Sequence, residues 1–130
     1  MNNLKWAIIG PGNIAAEFAA ALQEMNGTLY AVGSRSLEKA RDFAKQYGAE
    51  KAYGNYSEML QDAEIDVVYI STPHSNHYEY IMESLRNHKH VLCEKAITVN
   101  SKQLQEIVHL AEENGLVVAE AMTLYHMPLY

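Results

Sequence analysis

Cysteine is almost missing from this chain. Cys93 is the single one, so no disulfide can close within it, and a reducing, cytoplasmic setting is expected. Positive charge is also scarce: 10 Lys and Arg stand against 16 Asp and Glu, a formal net charge of −6. That balance argues against a nucleic-acid or anionic-membrane surface. It leaves room for a phosphorylated small molecule, because backbone dipoles can hold phosphate on an acidic protein. No apolar run is long enough to span a bilayer, and Met1-Asn2-Asn3-Leu4-Lys5 gives no signal-peptide pattern. Internal repeats and low-complexity tracts are missing too. What remains is ordinary globular material: 130 residues, 48% hydrophobic and 20% charged, suited to one domain with a real core.

Strand-like and helix-period segments alternate along the chain. Residues 4–9 and 28–32 read as strands. Between them Ile14, Phe18, Ala21, Leu22 and Met25 make an apolar helical stripe, closed by Gly27. Ser36 caps a second helix carrying Leu37, Ala40, Phe43 and Ala44, with Gly48 as its stop. Residues 51–53 suit a short strand, and Asn55-Tyr56-Ser57-Glu58 suits a capping box for a brief helix over 56–61. Residues 66–70 have the continuous apolar character of a buried parallel strand. A helix over 74–87 shows Tyr78, Ile81, Met82 and Leu85 on one side, and Val91-Leu92 is the heart of the next strand. Asn100-Ser101-Lys102-Gln103 caps a last helix with Leu104, Ile107, Val108 and Ala111 inward; Gly115 ends it before a sixth strand over 116–119.

This alternation predicts an α/β fold: an open, doubly wound parallel sheet in the order 3-2-1-4-5-6. Ligand is then expected across the carboxyl ends of strands 1 and 4, where the winding reverses. Residues 1–122 read as one nucleotide-binding domain. The apolar, aromatic stretch 123–130 reads as the start of a connection to a second domain.

Gly10-Pro11-Gly12-Asn13-Ile14-Ala15 follows the first strand and opens the first helix. G-x-G-x-x-A in that position makes a site for the pyrophosphate of a dinucleotide. Gly10 permits the turn, Gly12 has no Cβ to hinder backbone approach to the phosphates, and Ala15 lets helix and strand pack closely. The unpaired N–H groups of the helix start face the anion. The same letters also occur in glycine turns that bind nothing; the strand before and the helix after favour the dinucleotide.

An NAD site usually carries Asp or Glu at the end of the second strand, to bond the ribose 2′-hydroxyl. Here Val32-Gly33-Ser34-Arg35-Ser36 has no carboxylate, and Lys39 follows one turn later. Arg35 can clamp a 2′-phosphate with paired charged hydrogen bonds, so NADP is expected over NAD. Alternatively, Ser34 or Ser36 only caps the helix and Arg35 sits in solvent.

After the fourth strand come Thr72-Pro73, a turn, and then His74, Asn76 and His77, with Asn76 and His77 placed to touch cofactor ribose or phosphate. His74 and His77 are spaced like metal ligands on a helix, but no third and fourth ligand follow, so no metal is expected. After the fifth strand comes Glu94-Lys95. A lysine there can bond a substrate hydroxyl or hold charge on its oxygen during hydride transfer. An ordinary solvated ion pair fits the pair equally well.

Taken together, Gly10-Pro11-Gly12-Asn13-Ile14-Ala15, Thr72-Pro73 with His77, Glu94-Lys95 and Glu120-Ala121-Met122 resemble the Gfo/Idh/MocA oxidoreductases in order and spacing. The likeness runs over essentially the whole chain and corresponds to that family's amino-terminal Rossmann domain. Glu120-Ala121-Met122 is most similar to the branch with dihydrodiol and xylose dehydrogenases. The resemblance implies that Gly10, Gly12, Asn13 and Ile14 contact the pyrophosphate. It implies that Ser34, Arg35 and Lys39 hold the 2′-phosphate, and that Thr72, Pro73 and His77 line the groove. It places Glu94, Lys95 and Glu120 near the nicotinamide half, with Lys95 as the catalytic lysine.

Two departures stand out. The family usually has Glu-Lys-Pro, often with a cis peptide before the proline, whereas Ala96 stands here. A cis bond before a non-proline residue costs about 3 kcal/mol, so either that bond is strained or the loop sits differently. Family members also carry a second α/β domain that supplies most substrate contacts and commonly an oligomer interface. The expected function is therefore the cofactor half of an oxidoreductase passing hydride between NADP(H) and a sugar, polyol or related hydroxy or keto compound. A homo-oligomer is expected for the whole protein, and the fragment alone is expected to turn over little. The alternative is a dinucleotide sensor without catalysis.

Overall fold

The structure is a computed structural model and describes residues 4–72, 77–94 and 100–120. The elements run β1 (Lys5–Ile9), α1 (Asn13–Glu24), β2 (Thr28–Gly33), α2 (Leu37–Tyr47), β3 (Lys51–Tyr53), α3 (Tyr56–Leu60), β4 (Val67–Ile70), α4 (His77–Arg86), β5 (His90–Cys93), α5 (Ser101–Glu113) and β6 (Val118–Glu120). The six strands form one sheet in the order β3-β2-β1-β4-β5-β6, every pair parallel. The predicted order holds. β6 begins two residues later and ends one residue later than the hydrophobic pattern predicts.

Alternation along the strands divides the core between the two faces of the sheet. Ala7, Ile9, Val68, Ile70, Val91 and Cys93 meet α3, α4 and α5 through Met59, Leu60, Ile81, Leu85 and Ile107. Ile8, Val32, Tyr69 and Leu92 meet α1 and α2 through Ala15, Phe18, Leu22, Ala40 and Phe43. Phe18 and Tyr69 stack at 4.0 Å with ring planes 8° apart. Such a pair contributes about 1 kcal/mol beyond its buried area.

The helix ends follow the local chemistry. Ser36 caps α2 by accepting from the Lys39 N–H, and Gly48, at φ 77°, terminates it. Asn100 and Gln103 form a complete capping box on α5. For α3 only half of the expected box is made: Asn55 accepts from the Glu58 N–H at 2.9 Å.

Four apolar residues assigned to inner helix faces are instead exposed: Ile14 at 42%, Met25 at 60%, Leu104 at 50% and Val108 at 45%. Ile14 belongs to the first turn of α1, which rises from the sheet at the cleft described below, and Met25 lies past the end of that helix. α5 packs against α4, and of its residues Ile107 and Ala111 are buried in the core while Leu110 is partly buried against it. An edge helix buries a narrower stripe than one covered on both sides. No helix among the described residues is long and apolar enough to cross a membrane.

Candidate functional site

The loops that leave β1, β2 and β4 enclose a cleft of about 390 Å³ at the reversal point of the sheet. Its walls include Gly10, Gly12, Asn13 and Ile14 from the first loop, Ser34 and Arg35 from the second, Lys39 from α2, and Thr72 after β4. Eight residues singled out from the sequence thus share one cavity. Among the described residues that line it, Arg35 and Lys39 are the cations and none is Asp or Glu.

The glycine turn is held from two sides. The Gly10 N–H donates to the Gly33 carbonyl at 3.1 Å, and the Ser71 hydroxyl donates to the Gly10 carbonyl at 2.6 Å. Gly10 has φ +87°, and a Cβ on it would stand 2.8 Å from the Thr72 methyl. Both backbone and space therefore demand glycine. Gly12 is different. Its φ of 178° is open to any residue, and a Cβ there would meet nothing within 4 Å. The empty volume is the cleft itself, so a side chain at Gly12 would fill ligand space rather than collide with protein.

α1 starts at Gly12 with no side-chain cap and no acidic residue in its first turn, whereas Ser36, Asn55 and Asn100 cap α2, α3 and α5. Its amide donors and the positive end of its dipole face the cleft. The Thr72 hydroxyl oxygen is buried without a hydrogen-bond partner. A diphosphate fits this set of donors in shape and charge.

Ser34 is 7% exposed, and its Oγ accepts from the Ser36 N–H at 3.1 Å, which leaves its own hydrogen to donate. Ser36 serves α2 as a cap. Arg35 reaches across the cleft from the end of β2 and donates to the Tyr80 hydroxyl of α4 at 3.5 Å. That hydrogen bond, with the neighbouring Tyr56, raises the guanidinium pKa further.

Three further expected contacts, His77, Glu94 and Glu120, are described but are not among the residues lining the cleft. His77 is 1% exposed, and its Nε2 lies 2.9 Å from the Thr72 carbonyl. That contact ties the first residue of α4 to the end of the turn after β4. Glu94 follows β5 and accepts a hydrogen bond from the buried Tyr69 hydroxyl. Glu120 ends β6 in register with Cys93. Burial, then Glu120 and Glu94, pushes the Cys93 thiol up to about 12. Pro73, His74, Asn76, Lys95 and Ala96 lie outside the described residues. Among those described, no group of three His, Cys, Asp or Glu is gathered as a metal site.

Sequence reasoning missed Ser71, Tyr56 and Tyr80 as cleft residues. Tyr80 stands one turn after His77 on α4, and its meeting with Arg35, 45 positions away, has no signal in the sequence. Tyr56 opens α3, and its ring lies where Gly33 has no side chain: a Cβ there would come within 3.2 Å of Tyr56 Cδ1.

The chain matches the family model described as an oxidoreductase family with an NAD-binding Rossmann fold, over residues 4–122. It is similar to trans-1,2-dihydrobenzene-1,2-diol dehydrogenase of Xenopus tropicalis, 35% identical over 129 residues, 97% of this chain and 39% of the relative. The enzyme of that name from Homo sapiens is 37% identical over 122 residues, 92% of this chain and 36% of the relative. Among solved structures, a 3-ketoreductase from Actinomadura kijaniata in complex with NADP and TDP-benzene superposes with a TM-score of 0.90 at 32% identity. That match covers 98% of this chain and 39% of the other. An NAD binding oxidoreductase from Klebsiella pneumoniae gives 0.82 at 33% identity, covering 92% of this chain and 34% of the other. The chain thus spans about two fifths of the length of the curated relatives it matches. With its glycine turn, its uncapped first helix and its strand order in agreement, the chain belongs to the Gfo/Idh/MocA oxidoreductases and comprises their NAD-binding Rossmann fold.

Proposed function

We propose that this chain is the cofactor-binding unit of an NADP(H)-dependent oxidoreductase acting on a sugar, polyol or related hydroxy or keto compound. The observation that carries the reading is the lining of the cleft: an uncapped helix start, Arg35 and Lys39, and no carboxylate among the described residues. The first-turn amides of α1 would hold the pyrophosphate, with Gly10 and Gly12 giving the backbone its close approach. Ser34, Arg35 and Lys39 would hold the 2′-phosphate, which a carboxylate at the end of β2 would repel. NADP(H), when bound, would supply or accept the hydride.

Thr72, with its unpartnered buried hydroxyl, would bond the cofactor from the floor of the cleft. His77 would act through Thr72, and Pro73 would shape the same turn. Glu94 and Glu120, at the carboxyl ends of β5 and β6, stand on the side of the sheet where the nicotinamide half would lie. Lys95, next to Glu94, would bond or protonate the substrate oxygen as the family's catalytic lysine does. A hydroxy or keto substrate accords with the 3-ketoreductase and the dihydrobenzenediol dehydrogenases that the chain resembles. A homo-oligomer remains our expectation for the whole protein. The buried, unpaired Cys93 fits a reducing, cytoplasmic compartment.

The test is nucleotide affinity. NADPH should bind more tightly than NADH, and Arg35→Ala should weaken NADPH about tenfold while sparing NADH, the loss of one charged hydrogen bond. Tighter binding of NADH, or indifference to Arg35→Ala, would overturn the reading. Lys95→Ala in the full-length protein should abolish turnover; unchanged turnover would favour a non-catalytic nucleotide sensor.

A further inference from the structure

Tyr80 and Tyr56 have no part in the phosphate contacts assigned above, yet both line the cleft beside Arg35. The two rings lie edge to face, 5.0 Å between centroids at 75°. A second hollow on the outer side is also lined by Arg35, Tyr56 and Tyr80, and Glu83 of α4 lines it too. The Arg35–Tyr80 contact therefore borders two spaces, and among the described residues only the second is lined by a carboxylate, Glu83. Left to itself, an exposed arginine would spread over many rotamers, and a nearby carboxylate would draw it outward.

We propose that Tyr80 is a specificity-determining residue for the nicotinamide nucleotide: its hydroxyl holds the Arg35 guanidinium over the cleft, set to receive the 2′-phosphate. Tyr80 acts through Arg35 and is a positioning residue. At 3.5 Å the bond is long and neutral on the acceptor side, so phosphate oxygens displace it readily. What Tyr80 contributes is pre-organisation, which lowers the ordering cost of binding without adding a contact. Tyr56 supports it by packing against the Tyr80 ring, which keeps the hydroxyl on the Arg35 side.

The inference rests on the NADP reading and is tested by a Tyr80→Phe variant. This change removes one oxygen and keeps the ring packed on Tyr56. Affinities for NADPH, NADH and 2′,5′-ADP are measured by titration calorimetry in four proteins: the unaltered one, Tyr80→Phe, Arg35→Ala and the double variant. Tyr80→Phe should weaken NADPH and 2′,5′-ADP about threefold to tenfold and leave NADH within about twofold. In the Arg35→Ala background the same change should have no further effect, because its intermediary is gone. Equal weakening of NADPH and NADH, an unchanged NADPH-to-NADH ratio, or a loss that persists without Arg35 would each overturn the inference. If the unaltered protein fails to prefer NADPH, the NADP reading fails and the inference with it. A preference for NADPH that Tyr80→Phe leaves intact sinks the inference alone.

Discussion

The loops that enter the strands and the loops that leave them handle polar groups differently. In the stretch between α3 and β4, Asp62 accepts hydrogen bonds from the Tyr30 hydroxyl at 2.9 Å and the Tyr53 hydroxyl at 2.7 Å. Its carbonyl takes the ammonium of Lys89, a residue only 4% exposed, at 2.7 Å. Nearby, Asp66 accepts from the Lys5 N–H at 2.8 Å. Donors and acceptors there satisfy one another within the protein. Beyond β1 and β4, by contrast, a helix start without a side-chain cap opens on the cleft, and Thr72, which lines it, has a buried hydroxyl with no hydrogen-bond partner among the described residues. Burying polar groups unpaired costs about 1–3 kcal/mol each, so such groups collect where a ligand completes them. The difference teaches that one region is built for stability and the other for occupancy.

The strongest way to break that contrast is Gly12→Val. Its side chain would enter the cleft without meeting protein. NADPH affinity should fall about tenfold to a hundredfold, the equivalent of one or two charged hydrogen bonds, with the melting temperature unchanged. Calorimetric titration beside thermal unfolding checks both halves; a lowered melting temperature with normal affinity would reverse the assignment.

Asp62→Ala should do the opposite. Losing the acceptor for the Tyr30 and Tyr53 hydroxyls should cost about 2–3 kcal/mol in denaturant unfolding and leave NADPH affinity alone. The sign of the pH effect follows from the same site. Burial acts to raise the Asp62 pKa, but hydrogen bonds from Tyr53, the Glu64 N–H and Tyr30 outweigh it, and the carboxyl is held below its usual value. The stability it supplies is present above the ordinary carboxylate range and is lost as pH falls below about 4. Asp62→Asn should therefore flatten the acid limb of the stability curve.

The smallest effect concerns Cys93. Burial, Glu120 and Glu94 raise its thiol to about 12, so iodoacetamide should leave it unmodified in the folded protein at neutral pH and label it on unfolding. Rapid native-state labelling would show that the end of β5 opens to solvent.

The sheet was legible because its signals are local and repeated. Apolar runs, caps at Ser36 and Asn100, and stops at Gly48 and Gly115 each act within a few residues. The glycine turn of the candidate site was legible for the same reason, since residues 10–15 are contiguous and their turn is dictated by Gly10. Side-chain meetings across elements were not. Tyr80 reaches Arg35 from 45 positions away, and Tyr30 reaches Asp62 from 32, so periodicity carries no trace of either. Ile14, Leu104 and Val108 fit an inward stripe by spacing, yet what lies opposite a helix is decided by the tertiary arrangement. The 2.9 Å contact of His77 Nε2 with the Thr72 carbonyl is likewise not readable from spacing; the groove role of His77 came from the family resemblance.

The central claim is that main-chain amides of the first loop grip the pyrophosphate. It is tested most directly by following backbone amide resonances while NADPH is added. The account predicts large, saturable shifts at Gly12, Asn13, Ile14 and Ala15, with Asp66 and Lys89 unmoved. Amides of that loop left in place at saturating nucleotide would contradict it.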